Sequence, residues 1–180
     1  MRTIIPILII LVFAASVIAE EAIVDISRLT LLNPPQNEND IESSRIAVYF
    51  NLPEILDGKD IIFAEITASL DFGNIDIAGE TKFELQAYNI TEDWSADNPT
   101  WNTMADDIDT LSFYTYTFDM SAESAVHMDV TEFVKGIIEG DADNFGLMLI
   151  PHKLDQWAFQ INRRIVSQIQ EHARLRLVYQ

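Results

Sequence analysis

The side chains of this sequence whose types and spacing could do chemistry favour recognition over bond breaking. Trp157 stands beside Lys153, Asp155 and Gln156. An aromatic ring flanked by polar groups suits a sugar, which offers an apolar C–H face with hydroxyls at its rim. Tyr114 and Tyr116 are two residues apart and so share one face of an extended strand, where they could form a shallower platform. Lys153, Arg163 and Arg164 could bond hydroxyls or the carboxylates of uronic acids. A second chemistry is offered by Asp141, Asp143 and Asn144 in one turn, and by Asp106, Asp107 and Asp109 in another, whose hard oxygens suit calcium. Phe145 occupies a ligand position, so Asp141 to Gly146 fails the spacing of an EF-hand; the readings left for Asp141, Asp143 and Asn144 are a structural calcium site or a solvated acidic loop.

Catalytic patterns are poor by comparison. His127, His152 and His172 are scattered and form no H-E-x-x-H pair, and there is no G-x-S-x-G elbow, phosphate-binding loop or dinucleotide fingerprint. Cysteine is absent, which removes disulfides, thiolate metal sites and thiol nucleophiles. A pair of carboxylates for glycoside hydrolysis needs a set separation across a cleft, and the sequence supplies none. The expectation is a protein that is not an enzyme.

Charge narrows the partners. The 180 residues include 29 acidic and 11 basic ones, a net charge of -18, which repels the phosphates of nucleic acid. With 48% hydrophobic and 22% charged residues the chain has the composition of a folded protein, not an acidic disordered one. The charge is uneven: residues 21–150 carry 26 acidic and 5 basic residues, whereas 151–180 carry five basic and two acidic ones. Either the C-terminal strands offset acidic neighbours within the fold, or they present a basic strip to an anionic glycan or a second subunit. The N-terminus reads as a targeting segment: Arg2, an apolar run from Ile4 to Val12, then Val17-Ile18-Ala19 before Glu20. Residues 1–19 are therefore expected to be a secretory signal peptide, with an uncleaved anchor as the alternative, and residues 20–180 one extracellular or cell-surface domain without a further membrane span.

The elements that must position these residues are mostly short strands. Ile46, Val48, Phe50 and Leu52 alternate against Arg45, Ala47, Tyr49 and Asn51; Ile62, Ala64, Ile66 and Ala68 against Glu65, Thr67 and Ser69; and Phe83, Leu85 and Ala87 against Lys82, Glu84 and Gln86. Further strands are expected at Ala22–Leu32, Leu111–Phe118, Phe145–Ile150, Trp157–Ile161 and Ala173–Tyr179, separated by turn signals such as Asn33-Pro34-Pro35 and Asp57-Gly58. So many strands at this turn density predict an all-β antiparallel sandwich. One helix interrupts it. Asp129 is placed to cap Thr131–Glu139, where Phe133, Val134, Ile137 and Ile138 fall at helical spacing and Gly140 marks the stop.

Thr91-Glu92-Asp93-Trp94-Ser95, followed by Thr100-Trp101-Asn102, resembles the hallmark of the DNRLRE domains, a family overlapping carbohydrate-binding module family 96 and the disaggregatase-related proteins. Ser44–Pro53, Met128–Val134, Gly140 with Asn144–Leu149, and Arg174–Tyr179 are similar to further stretches of that family in the same order. The resemblance implies a jelly-roll-like β-sandwich serving as an extracellular, non-catalytic module. It also makes Trp94 and Trp101 fold-defining packing and leaves Trp157 outside the shared pattern. Two loops depart from it: no Asn-Tyr-Gly follows the first strand, and no proline precedes the last. The reading expected first is a secreted module that binds a cell-surface or matrix polysaccharide. A structural, self-assembling envelope or filament protein, its acidic face meeting the basic C-terminal strip of a neighbour, comes second; an exposed first strand at Ala22–Leu32 would favour it by adding to a neighbour's sheet edge. A small polysaccharide-degrading enzyme comes third.

Overall fold

The computed structural model describes residues 18–33, 45–70, 82–94, 99–104, 106–153, 165 and 167–180. Most of the expected leader and the whole of the strand expected at Trp157–Ile161 lie outside these residues, as do Trp157, Arg163 and Arg164. In chain order the elements are β1 (Glu20–Leu32), β2 (Arg45–Phe50), β3 (Ile61–Ser69), β4 (Lys82–Ile90), α1 (Trp101–Met104), β5 (Ile108–Asp119), β6 (Ala125–Asp129), α2 (Thr131–Glu139), β7 (Leu147–Lys153) and β8 (Arg174–Tyr179). Residues 167–172 are also helical, in the stretch that the sequence leaves ambiguous between helix and strand. No helix among the described residues is long and apolar enough to cross a membrane.

All strand pairs are antiparallel, in the order β5-β4-β7-β2-β1-β8-β3-β6. The order splits at β1 into two four-stranded halves, β1-β8-β3-β6 and β2-β7-β4-β5, the two interleaved sheets of a jelly roll. β1 belongs to both. Glu20–Asp25 pair with β8, and Ile26–Leu32 pair with β2. A bulge at Ser27, whose hydroxyl accepts the Asn51 N–H at 3.0 Å, makes this possible. Before it Ala22, Val24 and Ile26 point inward; after it Leu29 and Leu31 do. One inserted residue thus keeps the apolar side of the strand on the core as the chain crosses between sheets. Both halves of this strand already have partners, so it is not the exposed strand that would favour addition to a neighbour's sheet.

The core lies between the sheets and is built from the alternating residues read in the sequence: Ile46, Val48 and Phe50; Ala64, Ile66 and Ala68; Phe83, Leu85 and Ala87; Leu147 and Leu149; Leu175 and Leu177. Ile62 departs from its expected face. A register shift between Ile61 and Phe63 gives the inward position to Ile61 and leaves Ile62 exposed.

The helix α2 spans the residues expected of it, and its entry explains the Asp129-Val130-Thr131 sequence. The Asp129 carboxylate accepts the Thr131 N–H at 2.9 Å and its hydroxyl at 2.6 Å. The Thr131 hydroxyl in turn accepts the Ala64 N–H at 2.9 Å, and the Val130 N–H donates to the Ala64 carbonyl at 2.9 Å. Three consecutive residues therefore start a helix and fasten it to β3. The helix ends on Gly140 at φ 79, whose left-handed backbone lets the next two N–H groups turn back to the Gly136 carbonyl.

Candidate functional site

Residues 91–94 and 99–104 fold over the outer face of the sheet β5-β4-β7-β2-β1. Trp94, Trp101 and Met104 bury themselves there against Leu32, Ala47, Ile90, Met148 and Ile150, forming a second, smaller core. The Trp94 indole N–H donates to the Phe145 carbonyl at 2.7 Å. The Arg28 guanidinium lies over both the Tyr49 ring, at 4.3 Å, and the Trp94 ring, at 4.7 Å, and that of Arg45 lies over Trp101 at 4.1 Å. Both tryptophans are thus committed to packing, as the sequence pattern suggests.

The turn after α2 completes the lock. The Asn144 amide donates to the Phe50 carbonyl at 3.0 Å, Phe145 receives Trp94, and Gly146 at φ 91 passes so close to β2 that a Cβ there would meet the Val48 carbonyl oxygen at 2.1 Å. Asn144 is therefore turned into the fold, away from the exposed Asp141 and Asp143. Among the described residues no three acidic or histidine side chains come together as a metal site.

The C-terminal basic residues that are described offset acidic neighbours. Arg174 Nε is 2.5 Å from Asp25. Arg176 binds Glu21 through Nε at 2.9 Å and Glu65 through a terminal nitrogen at 3.0 Å, and His127 Nδ1 lies 3.3 Å from the other Glu65 oxygen. Glu65, only 7% exposed, is the buried acid at the centre of this row. The bonds to Glu21 and Glu65 raise the Arg176 pKa, and the same contact holds the Glu21 carboxyl below its usual range. These charges are spent within the fold. The backbone of Lys153 pairs with Phe83 at the end of β7.

Tyr114 and Tyr116 do share a face, but it is the inner one, where both are half-buried against the core. The Tyr116 hydroxyl donates to Glu123, and burial followed by this bond pushes its pKa up to about 12. Burial likewise raises Tyr114.

The open chemistry lies on the other side of the same strands. Along the outer face of β4 the Tyr88 hydroxyl donates to the Gln86 amide oxygen at 2.5 Å, and the Gln86 amide N–H donates to Glu84. Directly across on β5, Phe113 pairs with Tyr88, Thr115 with Gln86 and Thr117 with Glu84. The Tyr88 and Phe113 rings are 5.3 Å apart, and Phe113 is 49% exposed, with Thr115 and Thr117 exposed below it. Burial and the Glu84 charge raise the Tyr88 pKa, opposed by the charge of Arg45, so the hydroxyl stays protonated and can donate. The result is a two-strand strip with an aromatic pair at one end and a ladder of hydroxyl, amide and carboxylate groups running from it. Side chains repeat about every 7 Å along each strand and about 5 Å across the pair.

The sequence contains the polar face of β4 as Lys82, Glu84 and Gln86, but the alignment of Glu84, Gln86 and Tyr88 with Thr117, Thr115 and Phe113 depends on pairings between residues 25 to 33 apart that periodicity does not reveal. Compared with known proteins, the chain matches no family model and no curated sequence.

Proposed function

We propose that this chain is a non-catalytic β-sandwich module, exported from the cell, that binds a cell-surface or matrix polysaccharide on the outer face of β4 and β5. The observation that carries this reading is the strip itself: the tilted, contacting Tyr88 and Phe113 rings continued by the hydrogen-bonded line Tyr88–Gln86–Glu84 beside Thr115 and Thr117. A sugar ring needs an apolar surface for its C–H face and, within a few ångströms, donors and acceptors for its hydroxyls. This strip provides both on a rigid pair of strands, where ordering the site costs little side-chain entropy.

The DNRLRE-like motifs support the same class of function, and the leader-like N-terminus supports export. The ligand surface differs from the one expected at Trp157, Arg163 and Arg164. Retardation in native gels cast with a panel of neutral and acidic polysaccharides tests the reading. The wild type should be slowed by at least one glycan, and Gln86→Ala less so. Equal mobility in every gel would end it.

A further inference from the structure

The sheets end in two edge strands that differ sharply. β6 is five residues long, ends on Asp129 and passes straight into α2, so little of its edge is offered to another chain. β5 is twelve residues long, and from Thr110 to Phe118 it contains no charged residue, proline or glycine in a chain of net charge -18. Among the described residues only β4 pairs with it, and Leu111 is 93% exposed at a register shift that lifts residues 109–112 out opposite Asn89. A groove of about 450 Å³ runs beside its other edge, lined by Ile62, Phe63, Tyr114, Thr115, Glu132 and Lys135 among others. From Thr110 to Phe118 its own residues include none of the charges or prolines that usually guard an edge against strand addition.

We infer that two copies of this chain pair antiparallel along β5, about a two-fold axis at Thr115. In that register Thr115 faces its own copy, Tyr114 faces Tyr116, and Phe113 faces Thr117. Threonine pairs, aromatic pairs and aromatic–β-branched pairs are the favourable cross-strand combinations. The five facing residues, 113–117, contain no acid. Tyr116 of the second copy comes to lie beside Tyr114, at the groove floored by Ile62 and Phe63, and gives that groove an occupant. The bulge at 109–112 limits the pairing to about five residues, which makes a small, reversible interface. Its geometry extends the outer face of β4 and β5 across the axis, whatever that face binds.

The chain has no cysteine, so Thr115→Cys introduces a single thiol at a position that faces itself. Sedimentation velocity over a concentration series, with oxidative cross-linking of Thr115→Cys and of the exposed control Asn102→Cys, tests the pairing. The wild type should show a monomer–dimer equilibrium, Thr115→Lys should remain monomeric at concentrations where the wild type is dimeric, and Thr115→Cys should cross-link at least tenfold faster than Asn102→Cys. Circular dichroism of Thr115→Lys checks that the fold is kept. A wild type that stays monomeric throughout overturns the inference. So does a dimer that Thr115→Lys leaves intact, or a Thr115→Cys that cross-links no faster than the control.

Discussion

The indole N–H of Trp94 donates to the carbonyl of Phe145 at 2.7 Å, across 51 residues of chain. This bond joins the two most recognisable pieces of the sequence, the Thr-Glu-Asp-Trp segment and the Asn-Phe-Gly turn. It explains why a tryptophan that looks suited to a ligand is spent on the fold. Trp94→Phe keeps most of the ring but removes the donor to the half-buried Phe145 carbonyl, which costs about 1 kcal/mol. The urea midpoint should fall accordingly, while glycan retardation of the folded protein should not change.

Gly146 and Gly140 both have positive φ, yet they predict different outcomes. A methyl group at Gly146 meets the Val48 carbonyl, whereas at Gly140 it meets open space. Gly140→Ala should cost about 1 kcal/mol from backbone strain alone. Gly146→Ala must also push β2 and β7 apart and should cost more than about 3 kcal/mol. Thermal denaturation followed by circular dichroism reads the order; equal losses would contradict the close approach.

Tyr116 gives the fold an alkaline limit. Its pKa lies at about 12 in the folded chain, above the ordinary 10.0, because burial and Glu123 disfavour the phenolate. A group whose folded pKa is raised stabilises the fold fully below the unfolded pKa and loses that contribution as pH rises toward the folded one. Stability should therefore decline between about pH 10 and pH 12. Tyr116→Phe should flatten this decline. Phenolate absorbance should show a tyrosine titrating near pH 12 in the wild type that is missing from the variant.

Arg176 holds Glu65 and Glu21 together on the outer face of the second sheet. Arg176→Leu leaves the buried Glu65 beside His127 without its arginine, and an uncompensated buried acid is more damaging than the loss of both charges. The double variant Arg176→Leu/Glu65→Gln should therefore have a higher urea midpoint than Arg176→Leu alone. Additive losses would show that the two residues act independently.

Much of the fold is legible in the sequence because β2 and β4 each present one face to the core, so a period of two survives in their residues. The helix α2 is legible for a similar reason: Asp129, Thr131 and Gly140 are local signals that act within a turn of the residues they govern. Reading failed where one inserted residue reverses the faces, as at Ile62, and where partners are distant. Ala22–Leu32 looks like a free strand until both of its halves are seen paired. Tyr114 and Tyr116 alternate as a platform should, but alternation does not say which side faces the core. The strip formed by Glu84, Gln86, Tyr88 and Phe113 exists only once β4 and β5 are in register.

The most direct test of the account is the affinity of this strip for sugar. Calorimetric titration with the polysaccharide that most retards the wild type compares it with Phe113→Ala and Gln86→Ala, the second of which lies away from the β5 edge. Both variants should unfold at nearly the wild-type urea midpoint and bind about tenfold more weakly or worse, a loss of about 1.4 kcal/mol. Wild-type affinity in both would contradict the placement of the glycan site on β4 and β5.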